Sequence, residues 1–338
     1  MSLIDTHHHF VPEFYAQGMV QNSRPDKWMI LNTFVFTAVE EAGGDPSGWP
    51  TPSWSSEGDI AFMEKIGVTK AILSLTAPGA VIAPTTEKRR ALAREANEFA
   101  ATKRDENPQR WGFFAALPCL LDTEGALAEI QYALDVLKAE GVTLFTRYGS
   151  GNQYLGSPEF KSIWEELNSR KAVVFIHPTH PADTTRVNPF LPQPAIDYPH
   201  ETTRTAVDII ITNTKRSYPD CKVILSHAGG TLPFLITRIS TVSKEAAATA
   251  RIYGKTSEEI MEDFRSFYFD LALSSSEAVL RLVLDVVPHD HLLYGSDYPY
   301  ASPDKSLGFK QVLDGFPLDQ ELRDKIYFGN ANKLFGKP

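Results

Sequence analysis

Leu3-Ile4-Asp5-Thr6-His7-His8-His9-Phe10 opens the chain as a short apolar run carrying three histidines in a row. Side chains alternate faces along a strand, so His7 and His9 point the same way and can grip one metal ion, while His8 points away. Three later runs each close on a polar group: Val173-Val174-Phe175-Ile176-His177, Val223-Ile224-Leu225-Ser226-His227 and Leu292-Leu293-Tyr294-Gly295-Ser296-Asp297. They read as buried parallel strands, and strand ends are where an α/β barrel keeps its chemistry.

Eight such runs are spaced along the chain: Leu3 to Phe10, Ala71 to Ala77, Trp111 to Pro118, Val142 to Arg147, Ala172 to Pro178, Lys222 to Gly229, Ser266 to Leu273 and His291 to Tyr298. Helical spacing fills Ser56 to Lys65, Thr86 to Arg104, Thr123 to Glu140, Ser157 to Arg170 and Thr202 to Tyr218, with Thr123 and Ser157 as N-cap candidates. A last helix is expected from Asp319 to about Phe328, and a packed turn from Asn330 to Phe335. Strands alternating with helices predict a parallel sheet of βα units, and eight units close most simply into a distorted (β/α)8 TIM barrel, one domain over 1–338.

Two connections are longer than a barrel needs, 11–55 after the first strand and 179–200 after the fifth. Both follow strands with metal-ligand candidates, so both are expected over the barrel mouth as lids or pocket walls. The first carries Trp28, Phe34, Phe36, Trp49 and Trp54, of which about half are expected to reach a planar substrate and the rest the core.

Of the 338 residues, 43% are apolar and 22% charged, a globular composition. The formal charge of −9 argues against a nucleic-acid surface or anionic lipid, since both need local positive potential. Cys119 and Cys221 read as free thiols. No stretch reaches the length of a membrane span, and the histidine motif begins too near Met1 to leave room for a cleavable signal. The expectation is a cytoplasmic protein with a small-molecule substrate.

His177 precedes Pro178, which stops the strand. His227 precedes Ala228-Gly229-Gly230, where glycines allow close backbone approach; it could ligate the metal or act as an uncoordinated acid/base. Asp297 could bind metal, move a proton, or do both. Asp5 could orient a ligand or close the barrel floor. Arg147, at the end of the fourth run, could receive a substrate carboxylate or a loop salt bridge; Trp54 and Tyr298 are further substrate-contact candidates. His8, His180, His200, His289 and His291 are assigned to surface or capping positions.

The combination of Asp5-x-His7-x-His9, Tyr154-Leu155-Gly156, Ile176-His177-Pro178, Ser226-His227-Ala228-Gly229-Gly230 and Gly295-Ser296-Asp297-Tyr298-Pro299 resembles the amidohydrolase superfamily over nearly the whole chain. It looks like the branch containing aminocarboxymuconate-semialdehyde decarboxylase and metal-dependent decarboxylases of aromatic acids. Thr51-Pro52-Ser53-Trp54-Ser55 and Gly141-Val142-Thr143-Leu144 with Tyr148-Gly149 are most similar to the 6-methylsalicylate decarboxylase type. Some members begin with Glu-Glu-x-Phe or Glu-x-His, so His7-x-His9 places this chain with the His-x-His members.

The resemblance implies one divalent metal, Zn²⁺ or Mn²⁺, on His7, His9, His177 and Asp297, with His227 as a catalytic group beside it and no organic cofactor. It implies non-oxidative decarboxylation of an ortho-hydroxy aromatic acid, with Asp297 delivering a proton to the carboxyl-bearing carbon and His227 assisting. It also implies a homodimer. Metal-assisted hydrolysis of a lactone or amide is the alternative the same residues allow.

Overall fold

The computed structural model describes residues 2–15, 47–241 and 246–336; Trp28, Phe34 and Phe36 lie outside them. Eight strands are hydrogen-bonded in chain order: β1 (Ile4–Phe10), β2 (Lys70–Leu75), β3 (Trp111–Ala115), β4 (Gly141–Phe145), β5 (Val173–His177), β6 (Lys222–Leu225), β7 (Tyr268–Asp270) and β8 (Leu292–Leu293). Every neighbouring pair is parallel. The ring closes where Thr6 N donates to Tyr294 O at 3.0 Å and His9 N to Tyr298 O at 2.7 Å, so the chain forms the (β/α)8 barrel that its eight apolar runs predict. No described helix is long and apolar enough to cross a membrane.

The sixth and eighth runs are longer in sequence than as strands, because their ends turn upward. Past Leu225 the backbone enters left-handed conformation at His227 (φ 55) and Ala228 (φ 54), and past Leu293 at Asp297 (φ 62). Those turns lift the functional groups out of the ladder and into the barrel mouth.

The helices α1 (Ser56–Ile66), α2 (Thr86–Glu106), α3 (Thr123–Gln131), α4 (Lys161–Ser169) and α5 (Asp197–Ile211) lie where apolar spacing places them, with shifted ends. Asp122, not Thr123, caps α3 by accepting from Gly125 N. Ser157 precedes a 3-10 turn and makes no side-chain cap. The expected helix from Thr202 begins five residues earlier and breaks at Asn213, whose φ is 63. The later strands are followed by α6 (Leu232–Ser240), α7 (Ala246–Tyr253), α8 (Ser257–Arg265), α9 (Glu277–Val286) and α10 (Pro303–Gly315), and then by the short helices Gln320–Asp324 and Asn330–Leu334.

Inside the barrel, Ile4, Ile72, Phe114, Phe175, Ile224 and Leu293 form a buried cluster, and Phe328, Leu334 and Phe335 pack against it. The helical turn Asn330–Leu334 therefore seals one end of the barrel with apolar side chains. The other end is left for chemistry.

Candidate metal centre and the cavity above it

The register between β1 and β2 slips between Asp5 and His8, a local bulge of the kind that re-aims side chains. His7 and His9 then face each other across the barrel mouth with their Nε2 atoms 3.2 Å apart. Asp297 Oδ1 lies 3.4 Å from His7 Nε2 and 3.2 Å from His9 Nε2. His7, His177, His227 and Asp297 each offer one donor atom, all within 4.8 Å of one another. All five groups that the sequence singles out converge on one point. His7, His9, His177 and Asp297 are buried there, and His227 is half-buried.

The hydrogen bonds around the rings fix which nitrogens are free. His7 Nδ1 lies 3.0 Å from Asp270 Oδ2, His177 Nδ1 lies 2.8 Å from Pro178 O, and His227 Nδ1 lies 3.1 Å from Ala272 O. Those partners only accept, so each Nδ1 donates. His9 Nδ1 lies 2.9 Å from Ser74 Oγ, whose own hydrogen goes to His8 O at 3.1 Å; His9 Nδ1 therefore donates as well. What remains at the centre is four Nε2 lone pairs and a carboxylate. Such a set repels itself in a buried site and fits a divalent cation, for which imidazole and carboxylate are suitable ligands.

With no cation bound, a proton at His7 takes its place. Burial opposes charge on His7, but Asp270 and Asp297 overcome it and push its pKa up to about 10. Burial and the neighbouring imidazoles hold His177 well below the ordinary range, and burial with the charge of His7 lowers His227. Burial favours neutral Asp297, yet His7 and His9 hold its carboxyl well below the usual carboxylate range. The centre draws positive charge to itself.

Asp270 is the residue that sequence reading passes over. Its Oδ2 takes the His7 Nδ1 hydrogen, while Oδ1 accepts from His227 N at 3.2 Å and Ala272 N at 3.0 Å. One fully buried carboxylate at the end of β7 thus sets the tautomer of a histidine on β1 and holds the left-handed turn that presents His227. The signal in the sequence is a lone acid after Tyr268-Phe269 in an otherwise apolar run. Asp270→Asn is expected to weaken metal affinity by about 10- to 100-fold, read by competition with a chelator of known affinity; unchanged affinity would contradict this role.

Asp5 does not reach the centre. It accepts from His7 N at 3.2 Å and Ser296 N at 3.0 Å, tying β1 to the segment after β8. His8 is not at the surface as expected: it is fully buried, with Nδ1 3.0 Å from Asp5 Oδ2 and Nε2 3.1 Å from Asp59 Oδ1. Burial resists its charge, but the two carboxylates raise its pKa to about 10. A side chain that leaves the site of a closed barrel enters the helix layer, not water.

Above the centre lies a cavity of about 280 Å³ floored by His9, His177, His227 and Asp297. Ser47 and Trp49 from the first insertion wall it, with Pro194, Ala195 and Tyr198 from the second and the residues that follow it. Tyr300, Lys305 and Phe309 complete the far side. The three expected substrate contacts are not among the described lining residues. Trp54 donates to Asp59 Oδ2 at 3.1 Å and packs on Phe10 and Phe99; Tyr298 stacks on Phe62 with ring centroids 3.9 Å apart. Arg147 lines a separate cavity. Lys305, the only lysine or arginine among the described lining residues, had no local signal, since it sits on a helix surface beside Trp49.

Residues 4–337 match the protein family described as Amidohydrolase. The 6-methylsalicylic acid decarboxylase of Penicillium expansum is 46% identical over 335 residues, which cover 99% of this chain and 96% of that protein. A solved amidohydrolase II is 28% identical with a TM-score of 0.85, covering 99% of this chain and 100% of the other. The dihydroxybenzoic acid decarboxylase of Polaromonas sp. JS666, solved with manganese and the inhibitor 2-nitroresorcinol, shares the fold at 22% identity and a TM-score of 0.80, over 99% and 97% of the two chains.

Proposed function

The chain belongs to the amidohydrolase family, and on that premise we propose that it is a metal-dependent carboxy-lyase that decarboxylates ortho-hydroxy aromatic acids, 6-methylsalicylate among them. The observation that carries this reading is the set of four imidazole lone pairs and one carboxylate at the floor of a small, partly aromatic cavity. Its volume of about 280 Å³ lies just below the ~300–1,000 Å³ typical of small-molecule sites and suits a single ring. Similarity to a 6-methylsalicylic acid decarboxylase over nearly the full length supports the choice of acid.

His7, His9, His177 and Asp297 would hold the ion, with His227 beside it. A bound Zn²⁺ or Mn²⁺ would supply Lewis acidity and a template for the substrate carboxylate and its neighbouring phenolic oxygen, with no redox change. Asp297, held as the carboxylate by His7 and His9, takes the phenolic proton when substrate binds. It then returns that proton to the ring carbon that bears the carboxylate. The bond from this carbon to the carboxylate breaks, carbon dioxide leaves, and the bond electrons restore the aromatic ring as a phenolate that takes a proton from water on release. His227, fixed through Nδ1 to Ala272 O, turns Nε2 toward the reacting centre and holds the proton on course. The ring itself carries the charge that develops, so no organic cofactor is needed.

The test is to load the protein with Zn²⁺ or Mn²⁺ and offer ortho-hydroxybenzoates, with 4-hydroxybenzoate as the control that lacks the neighbouring hydroxyl. Equal release of 3-methylphenol and carbon dioxide from 6-methylsalicylate is the expected result. Silence across the acids with metal bound would overturn the reading, and turnover of lactones or amides would replace it with hydrolysis.

A further inference from the structure

A second cavity, of about 880 Å³, lies beside the metal centre. Phe145 forms part of its wall, and the same ring lies 6.2 Å from that of His177. Two guanidinium groups line it, Arg147 and Arg89. Arg147 is only 6% exposed. Its Nη1 donates to Gly149 O at 2.8 Å and Gly151 O at 3.2 Å, and its Nη2 to Pro181 O at 3.5 Å. Those are neutral carbonyls, and its buried Nε has no partner. Arg89 gives Nε to Ala83 O at 2.8 Å.

Neither group is ion-paired among the described residues, although the chain carries a formal charge of −9 and many of its other arginines are paired. Arg90, Arg94, Arg170, Arg204 and Arg216 all have carboxylate partners. Asp122 also lines the cavity, but Arg90 already engages both its oxygens at 2.6 Å. The amino end of the 21-residue helix α2 opens here at Thr86, which adds positive potential. Burial and the charge of Arg147 hold the neighbouring His180 neutral, with its pKa down at about 4. The same cavity is also lined by apolar Pro78, Val81, Ile82, Leu121, Phe145 and Tyr148.

The carboxylate whose charge Arg147 feels is Glu201, and Tyr154 and Arg204 already engage that group at Oε1, so the guanidinium borders the cavity with no anion at hydrogen-bond distance. The apolar lining, with Phe145 and Tyr148 in it, adds a second requirement, an apolar ring. We propose that this cavity is a second binding site, for an aromatic carboxylate, in which Arg147 and Arg89 take the carboxylate and the wall from Pro78 to Tyr148 takes the ring. The site needs neither the metal nor an ortho hydroxyl, so it stands whether or not the proposed decarboxylation does.

Benzoate tests it. Calorimetric titration into the metal-free full chain should show a site that weakens about ten-fold or more in Arg89→Gln and again in Arg147→Gln, the effect of losing a charge-assisted hydrogen bond. Benzoate held in the metal cavity would not respond, because neither arginine lines it. Equal affinity in the wild type and both variants, or no heat at millimolar benzoate, would overturn the proposal. Inorganic phosphate binding as tightly as benzoate would overturn its aromatic part. Should Arg147→Gln fail to fold, Arg89→Gln decides alone, since that side chain is half-exposed and holds only one carbonyl.

Discussion

Asp297→Asn is expected to lower kcat by about 10³-fold with the fold intact, the middle of the range for loss of a positioned proton donor. An amide has no acidic proton to pass to a ring carbon and is a weaker cation ligand than a carboxylate. The backbone role survives, because Asp297 N donates to His7 O at 2.8 Å and its carbonyl accepts from Ala301 N at 2.7 Å, and asparagine tolerates the left-handed φ of 62. Single-turnover kinetics at matched metal content, with a thermal melt as control, make the measurement. Activity above a tenth of wild type would remove Asp297 from the proton path.

Stripping the metal is expected to abolish turnover altogether, and either Zn²⁺ or Mn²⁺ should restore it. Without a cation the His7 and His9 Nε2 atoms, 3.2 Å apart, and the Asp297 carboxylate have only a proton to share. A bound ion would also tie β1, β5 and the segment beyond β8 together. Metal at a hundred times its Kd should therefore stabilise the fold by about 2.7 kcal/mol through mass action. A melt that rises with added metal in parallel with activity is the expected outcome; full activity after exhaustive chelation would place the chemistry elsewhere.

How much of this is legible in the sequence follows from range. Each strand declares itself through a local apolar run, and each candidate donor through a polar residue at the end of such a run; His7, His9, His177, His227 and Asp297 are readable for that reason. Asp270 meets the same description, but its importance lies in contacts to His7 and His227, 263 and 43 positions away, which no window spans. His8 shows a different failure: alternation gives its direction correctly but not what waits there, and Asp59 arrives from α1. The same applies to Trp49 and Trp54, near neighbours in one loop. Ser55 caps α1, so Trp54 is drawn with the helix start onto Phe10 and Phe99, while Trp49 reaches the cavity.

The closure of the barrel has a consequence for the timing of synthesis. The strand that brings His7 and His9 is hydrogen-bonded to a partner 288 positions downstream, Thr6 Oγ1 to Tyr294 O at 2.9 Å, and Asp297 follows just beyond. A nascent chain halted anywhere before that partner has emerged from the ribosome holds its first two imidazoles without the carboxylate that completes their set. Capture of an ion by the full set would therefore be among the final acts of maturation, after nearly three hundred residues have been made and have found one another.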